Sequence, residues 1–187
     1  MSVYTEPPLT IADLDATPDD GNRYELIEGE LHVSTSPSFL HQSLLFKLAG
    51  IFTEYLTSHP VGRFTGGVGV IFDDFNGVIP DFVYFSHERG KSILKGERFS
   101  GAPEIVVEIL SPGASNERRD KQVKRDLYSK RGVDEYWIVN PESRMIEVYR
   151  KRKEGGLQFY VSLHENDDLT SPLLPDFRTP VSTLFEM

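Results

Sequence analysis

The sequence predicts a mixed α/β domain of the α+β kind, a central mixed β-sheet flanked by helices. Two observations carry that expectation. Short runs rich in β-branched and aromatic residues recur along the chain, bounded by Pro, Gly and Asn. Two longer segments, one near residue 45 and one near residue 124, carry helical spacing instead. At 187 residues the chain has the length of one well-cored domain, so residues 1–187 are expected to form a single unit. A hydrophobic share of 39%, with 12 Phe and 8 Tyr, suits a packed globule rather than a disordered chain.

After a loose start, RYELIEGELHV (23–33) reads as a hairpin with Gly29 near its turn. SPSFLHQSLLFKLAGIFTEYL places apolar residues at 40, 44, 45, 48, 51, 52 and 56 behind a serine cap, which predicts a helix. Gly66, Gly67 and Gly69 form neither a dinucleotide-binding GxGxxG nor a P-loop and read as turn and strand-entry glycines. VGVIFDD and VIPDFVYFS read as strands joined at Phe75-Asn76-Gly77, since an Asn-Gly pair tolerates positive φ. Pro80 predicts a bulge or strand entry that re-aims Asp81. PEIVVEIL is a further strand, and SNERRDKQVKRDLYSKRG a helix capped by Ser115 and stopped by Gly132. DEYWIVNPES and RMIEVYRKR make a second hairpin around Pro141, LQFYVSL supplies an edge strand, and the tail ending PVSTLFEM adds packing. No repeat, low-complexity tract or linker divides the chain.

The chain has no cysteine, which excludes disulfides and thiolate metal sites, so a metal would sit on carboxylates, histidines or carbonyls. No apolar run approaches the roughly 18 residues of a membrane span. The N-terminus lacks a basic leader followed by an apolar core, so the expectation is a soluble, cytoplasmic protein without a membrane partner. A net charge of −9 opposes strong non-specific nucleic-acid binding. The charge is uneven, however: Glu117 to Arg131 holds seven basic residues against three acidic ones. A local basic face of this kind is compatible with DNA contact and equally with a solvated helix.

Glu108 stands among Ile105, Val106, Val107, Ile109 and Leu110. An unpaired carboxylate in such a strand costs several kcal/mol, roughly. It either points to a wetter face with Glu104, of the same parity, or forms half of a metal site. Asp81 lies 27 residues earlier, on a strand that a short excursion could make a neighbour. Two carboxylates on adjacent strands form a hard oxygen site suited to Mg²⁺ or Mn²⁺. Two unrelated strand-end acids fit the spacing as well. Asp120, Lys124 and Tyr128 recur every four residues and line one helix stripe, which an Asp–Lys surface pair also explains. His41, in the first turn of the long helix, either faces the same cleft or is a capping residue.

Together, RYELIEGEL, SPSFLH, IPDFVYF, GAPEIVVEILSP and RRDKQVKRDLYSKRGVDEYWIVNP resemble a widespread bacterial family of restriction endonucleases in the PD-(D/E)XK nuclease superfamily. The resemblance runs from about residue 9 to the C-terminus and is most specific between Pro103 and Pro141. It implies a restriction-endonuclease-like core, with Asp81 as the first acid and Glu108 as the second, sharing a divalent metal. The superfamily lysine is expected two residues after Glu108, where this chain has Leu110. Lys124, on the following helix, looks like its replacement. Glu25 is expected as an outer-sphere carboxylate, with Tyr128 and His41 lining the cleft. The reading that results is a Mg²⁺- or Mn²⁺-dependent endonuclease acting on DNA. Its rival is a catalytically quiet nuclease fold used for binding or assembly, which the net acidity and Leu110 favour. The VYR and LQFYVSL strands, read as exposed edges, predict a homodimer.

Overall fold

The computed structural model describes residues 7–186, apart from the side chains of residues 114 and 115. The first half contains α1 (Ile11–Asp15), β1 (Arg23–Ile27), β2 (Glu30–Ser34), α2 (Phe39–Ser58), β3 (Gly62–Thr65), β4 (Val70–Asp73), β5 (Asn76–Val78), β6 (Phe82–Ser86) and α3 (His87–Ile93). Then come β7 (Leu94–Lys95), β8 (Arg98–Ser100), β9 (Ile105–Ile109), α4 (Ala114–Arg118), a π-helical segment (Arg119–Lys124) and α5 (Arg125–Arg131). The chain continues as β10 (Glu135–Asn140), β11 (Met145–Lys151), β12 (Leu157–Leu163), β13 (Asp168–Thr170), β14 (Arg178–Pro180) and α6 (Val181–Phe185).

The strands divide among two six-stranded sheets and a small β13-β14 pair rather than forming one sheet. The central sheet runs β12-β11-β10-β9-β6-β3, and the second runs β2-β1-β5-β4-β8-β7. The central sheet is mixed: β9 and β10 are parallel, whereas β6 and β9 are antiparallel. The chain passes from the second sheet to the central one between Val78 and Phe82, where Pro80 has no N–H to extend a ladder.

Alternation along β9 sorts the core. Ile105, Val107 and Ile109 face a cluster built with Leu44, Leu48 and Phe52 of α2 and with Leu184 and Phe185 of α6. Val106 and Leu110 face the opposite cluster, formed by Val70 and Phe99 of the second sheet and by Leu127 and Tyr128 of α5. Glu108 shares the parity of this second face. Leu110 is therefore packed core, not an open slot beside Glu108.

Local chemistry explains the element ends. Ser38 Oγ accepts from His41 N at 3.2 Å and caps α2. Gly132, at φ 90°, ends α5 in the left-handed conformation. α4 begins at Ala114, one residue before the expected cap Ser115, whose side chain lies outside the described residues.

Asn76-Gly77 is not the β4–β5 turn. Both residues lie within β5, and the turn falls at Asp74-Phe75. Asn76 is buried; its amide donates to Asp73 Oδ1 at 2.8 Å and its oxygen accepts from Glu28 N at 2.9 Å. That last bond braces the β1–β2 turn, where Glu28 and Gly29 both hold positive φ. The VYR segment is also not an edge, because β11 is paired on both sides. β12 is the edge strand, and it exposes Phe159 and Tyr160. No helix among the described residues is long and apolar enough to cross a membrane.

Candidate active site

β6 and β9 pair with Phe82 opposite Val107, and the register continued by one residue sets Asp81 across from Glu108. Asp81 Oδ2 accepts from the Ile109 amide at 2.8 Å and pairs with His41 Nε2 at 3.0 Å. Its Oδ1 accepts from Arg23 Nη1 at 3.3 Å. Burial works to raise the Asp81 pKa, but the His41 hydrogen bond and charge, the Ile109 amide and Lys124 outweigh it and hold the carboxyl below its ordinary value. The other ring nitrogen of His41, Nδ1, is buried without a partner among the described residues.

Glu108 is only 3% exposed. Its Oε1 accepts from Lys124 Nζ at 3.0 Å and from Tyr128 OH at 2.7 Å. No hydrogen bond reaches Oε2 among the described residues. Burial, reinforced by Asp81, Asp120 and Glu25, pushes the Glu108 pKa up to about 8 although Lys124 opposes the shift.

Lys124 Nζ also lies 2.9 Å from Glu25 Oε1, which in turn accepts from the Ile79 amide at 2.7 Å. Burial disfavours the ammonium, yet Glu108, Glu25 and Asp120 together raise its pKa above the ordinary lysine value. The structure thus brings Asp81, Glu108, Lys124, Glu25, His41 and Tyr128 to one place.

The helix that delivers Lys124 is not a plain α-helix. Residues Arg119–Lys124 form a π-helical turn, a local widening often found at functional sites. The alternative, an Asp120–Lys124 surface pair, is absent among the described residues, because Lys124 pairs with Glu25 and Glu108. The Asp120 carboxylate instead accepts from Arg119 Nε at 3.1 Å, while the Asp120 carbonyl accepts from the buried Tyr136 hydroxyl at 3.0 Å. Burial raises the Asp120 pKa despite the nearby Lys124 and Arg119.

Asp81, Glu108, Lys124, Glu25, His41 and Asp120 line a cleft of about 370 Å³. Tyr128, expected to line it too, is wholly buried and reaches the site only through its hydroxyl bond to Glu108. The cleft walls carry three cations (Arg23, Arg119, Lys124) and four carboxylates (Glu25, Asp81, Glu108, Asp120). Among the described residues no three His, Asp or Glu side chains converge as a ready-made metal cage.

A family profile described as "Uma2: Putative restriction endonuclease" matches residues 11–182. The chain belongs to this family. Among solved structures it is similar to one described as "a putative nuclease belonging to DUF820 from Anabaena variabilis ATCC 29413", with a TM-score of 0.74 and 18% identity. The match covers 95% of this chain and 98% of that one. At that identity the likeness is one of fold, and it agrees with the restriction-endonuclease-like core expected from the sequence. A comparison with curated proteins finds no match.

Two cleft residues of this Uma2-family chain escaped the sequence reading. Arg23 precedes Glu25 by two positions on β1, so strand alternation alone puts both on one face. Arg119 carried no such signal, because its neighbours form an unbroken run of charge and the π turn decides where it points. Gly66 adds a constraint. A Cβ there would stand 2.6 Å from the Asp81 carbonyl oxygen. Gly66→Ala is therefore expected to cost about 1–3 kcal/mol in urea unfolding, through overpacking against backbone. The same substitution should weaken metal binding by displacing Asp81; wild-type metal affinity would refute the link.

Proposed function

We propose that the chain is a Mg²⁺-dependent endonuclease hydrolysing phosphodiester bonds in DNA, with Asp81 and Glu108 as the metal carboxylates and Lys124 beside them. One observation carries this reading. Glu108 is buried, with Oε1 held by Lys124 and Tyr128 and Oε2 without a hydrogen bond among the described residues. A carboxylate kept in an apolar strand at that cost, in a cleft and with a perturbed pKa, marks a functional group. Membership of a family described as restriction endonucleases supports hydrolysis of nucleic acid.

The donor set fits the ion. Both acids offer hard oxygens, and Mg²⁺ retains several waters, so two carboxylates suffice without a full protein cage. Mn²⁺ shares the preference. Arg23, whose side chain is 30% exposed, is the group that must yield Asp81 Oδ1. When bound, the metal supplies Lewis acidity that activates a water and draws charge off the phosphate.

The remaining work belongs to the chain. His41 and the Ile109 amide hold Asp81 ionised and fixed in direction. Lys124, kept protonated by its carboxylate neighbours, acts as a charge stabiliser for the negative charge that develops on the phosphate oxygens, rather than as a base. Tyr128 and Glu25 orient Glu108 and Lys124 through the contacts already described. Arg23 and Arg119 offer guanidinium groups to phosphate oxygens.

The cleft sets four carboxyl groups against Arg23, Arg119 and Lys124, with His41 beside Asp81, and a divalent ion adds positive charge where the phosphate would sit. DNA affinity is therefore expected to depend on the metal, as well as hydrolysis. Supercoiled plasmid or circular single-stranded DNA incubated with the protein should be cut in Mg²⁺ and untouched in EDTA, with tighter DNA binding in Mg²⁺. DNA that is bound but never cut, in Mg²⁺ or Mn²⁺, would favour a quiet binding module, consistent with Leu110 at the superfamily's lysine position.

A further inference from the structure

Two recesses open off the charged cleft, the first of mixed lining and the second mainly apolar. The first, of about 440 Å³, joins apolar Leu40, Leu110, Pro112 and Pro141 to polar Glu117, Asn140 and Glu142, and meets the cleft at Ser111 and Pro112. The second, of about 330 Å³, is lined by Leu45, Phe46, Ala49 and Phe64 and meets the cleft at Arg23 and Asp81. Among the described residues the two recesses have only His41 in common, so they lie on different sides of it. Both fall in the size range of small-ligand sites, roughly 300–1,000 Å³. The hydrolytic chemistry uses neither, because its metal carboxylates and Lys124 line the cleft itself.

A charged centre with a recess offering apolar surface on each side matches one kind of ligand closely. A phosphodiester places charge between two flat bases, each with an apolar face and an edge of hydrogen-bond donors and acceptors. Arg23 and Arg119 face that charge, while Phe46, 74% exposed, and Leu40, 37% exposed, present apolar surface at the recesses. In a duplex the bases are stacked and paired, and a base reaches such a recess only after leaving the stack. Stacking on an aromatic side chain is also tolerant of sequence, since every base has a π-face. We propose that the site acts on DNA at unpaired nucleotides, seating the two bases that flank the scissile phosphate in the two recesses. This rests on the nuclease reading and narrows its substrate to single strands, gaps and bulges.

Oligonucleotides carrying 2-aminopurine, whose fluorescence reports unstacking, test the idea. They are titrated with the full chain in Ca²⁺, another cation that binds hard oxygens, as single strands, gapped duplexes and full duplexes; cleavage is followed in Mg²⁺. Unpaired substrates should bind and be cut at least about tenfold better than full duplex, in line with the worth of base–aromatic stacking. Phe46→Ala, which removes a stacking face, and Leu40→Trp, which fills the other recess, should each bring the preference close to unity. Calorimetric Mn²⁺ affinity serves as the check that each variant is folded; Phe46 is exposed enough for its variant to stand alone. Full duplex bound or cut as well as single strand overturns this inference and leaves the nuclease standing. So does an unchanged preference in Phe46→Ala. A protein that neither binds nor cuts any DNA loses both.

Discussion

Glu108→Ala and Asp81→Ala are each expected to reduce Mg²⁺ and Mn²⁺ affinity by more than about 100-fold, the upper end of what losing even an outer-shell partner costs. The fold should survive. Glu108 is a buried carboxylate with its pKa pushed up to about 8, so its removal relieves a desolvation cost as well as deleting a ligand. The same shift makes binding pH-dependent, because the metal takes the ionised form. Because burial raises the Glu108 pKa, metal binding below about pH 8 should be accompanied by proton release. Affinity should rise with pH until about 8 and then level off. The sign for stability runs the other way. A raised folded pKa contributes stability that is full below the unfolded value and lost as pH climbs through about 8. The metal-free wild type should therefore lose stability over that window, and Glu108→Gln should flatten the loss. Isothermal calorimetry in buffers of different ionisation heat, with urea melts across pH, reads both effects. Undiminished affinity in both alanine variants would remove the metal assignment.

Lys124→Ala is expected to lower hydrolysis by about 10²- to 10³-fold, the usual loss when one charge-stabilising donor is deleted, while metal binding persists. Its second effect concerns stability. Lys124 is the cation within contact of both Glu108 and Glu25, at 3.0 Å and 2.9 Å, and all three groups are buried. Removing one partner of such a set leaves uncompensated charge and costs about 3–5 kcal/mol. Part of that should return on adding Mg²⁺, since a ligand of the folded state stabilises it by mass action. The stabilisation by Mg²⁺ in denaturant melts should thus be larger for Lys124→Ala than for wild type. Lys124→Met, which keeps the volume of the stem, separates lost charge from lost packing. Full activity in either variant would exclude Lys124 from the chemistry.

The strongest local signals in the sequence were the ones the structure kept. The β1–β2 hairpin, the Ser38-capped α2, β9, the helix stop at Gly132 and the β10–β11 hairpin all depend on neighbouring residues: turn chemistry, capping and hydrophobic period. Where local chemistry was ambiguous the reading slipped. Asn76-Gly77 carries a turn signal, but Asn76 is needed as a buried brace for Glu28, and α1 packs so closely over Gly77 that a Cβ there would stand 2.7 Å from Ile11. The α3 helix and the short β7, β8, β13 and β14 strands have too few residues to show a period. The VYR strand carries the same alternation at an edge or inside a sheet, so only its pairing on both sides shows it to be interior.

What the sequence determined by itself was the class of fold, most of the long elements and the types of residue available for chemistry: hard carboxylates, a lysine on a helix, no thiol. Parity along β9 even set Glu108 and Leu110 on one face. The meeting of these groups was decided by the tertiary structure alone. Asp81 faces Glu108 because β6 and β9 pair in one particular register, across a separation that no local periodicity encodes. Lys124 reaches Glu108 and Glu25 from the end of a π turn whose Asp120 carbonyl accepts from the Tyr136 hydroxyl of β10. Periodicity reports how each element presents its side chains. Which elements then share a cleft depends on long-range packing of surfaces that many sequences could supply.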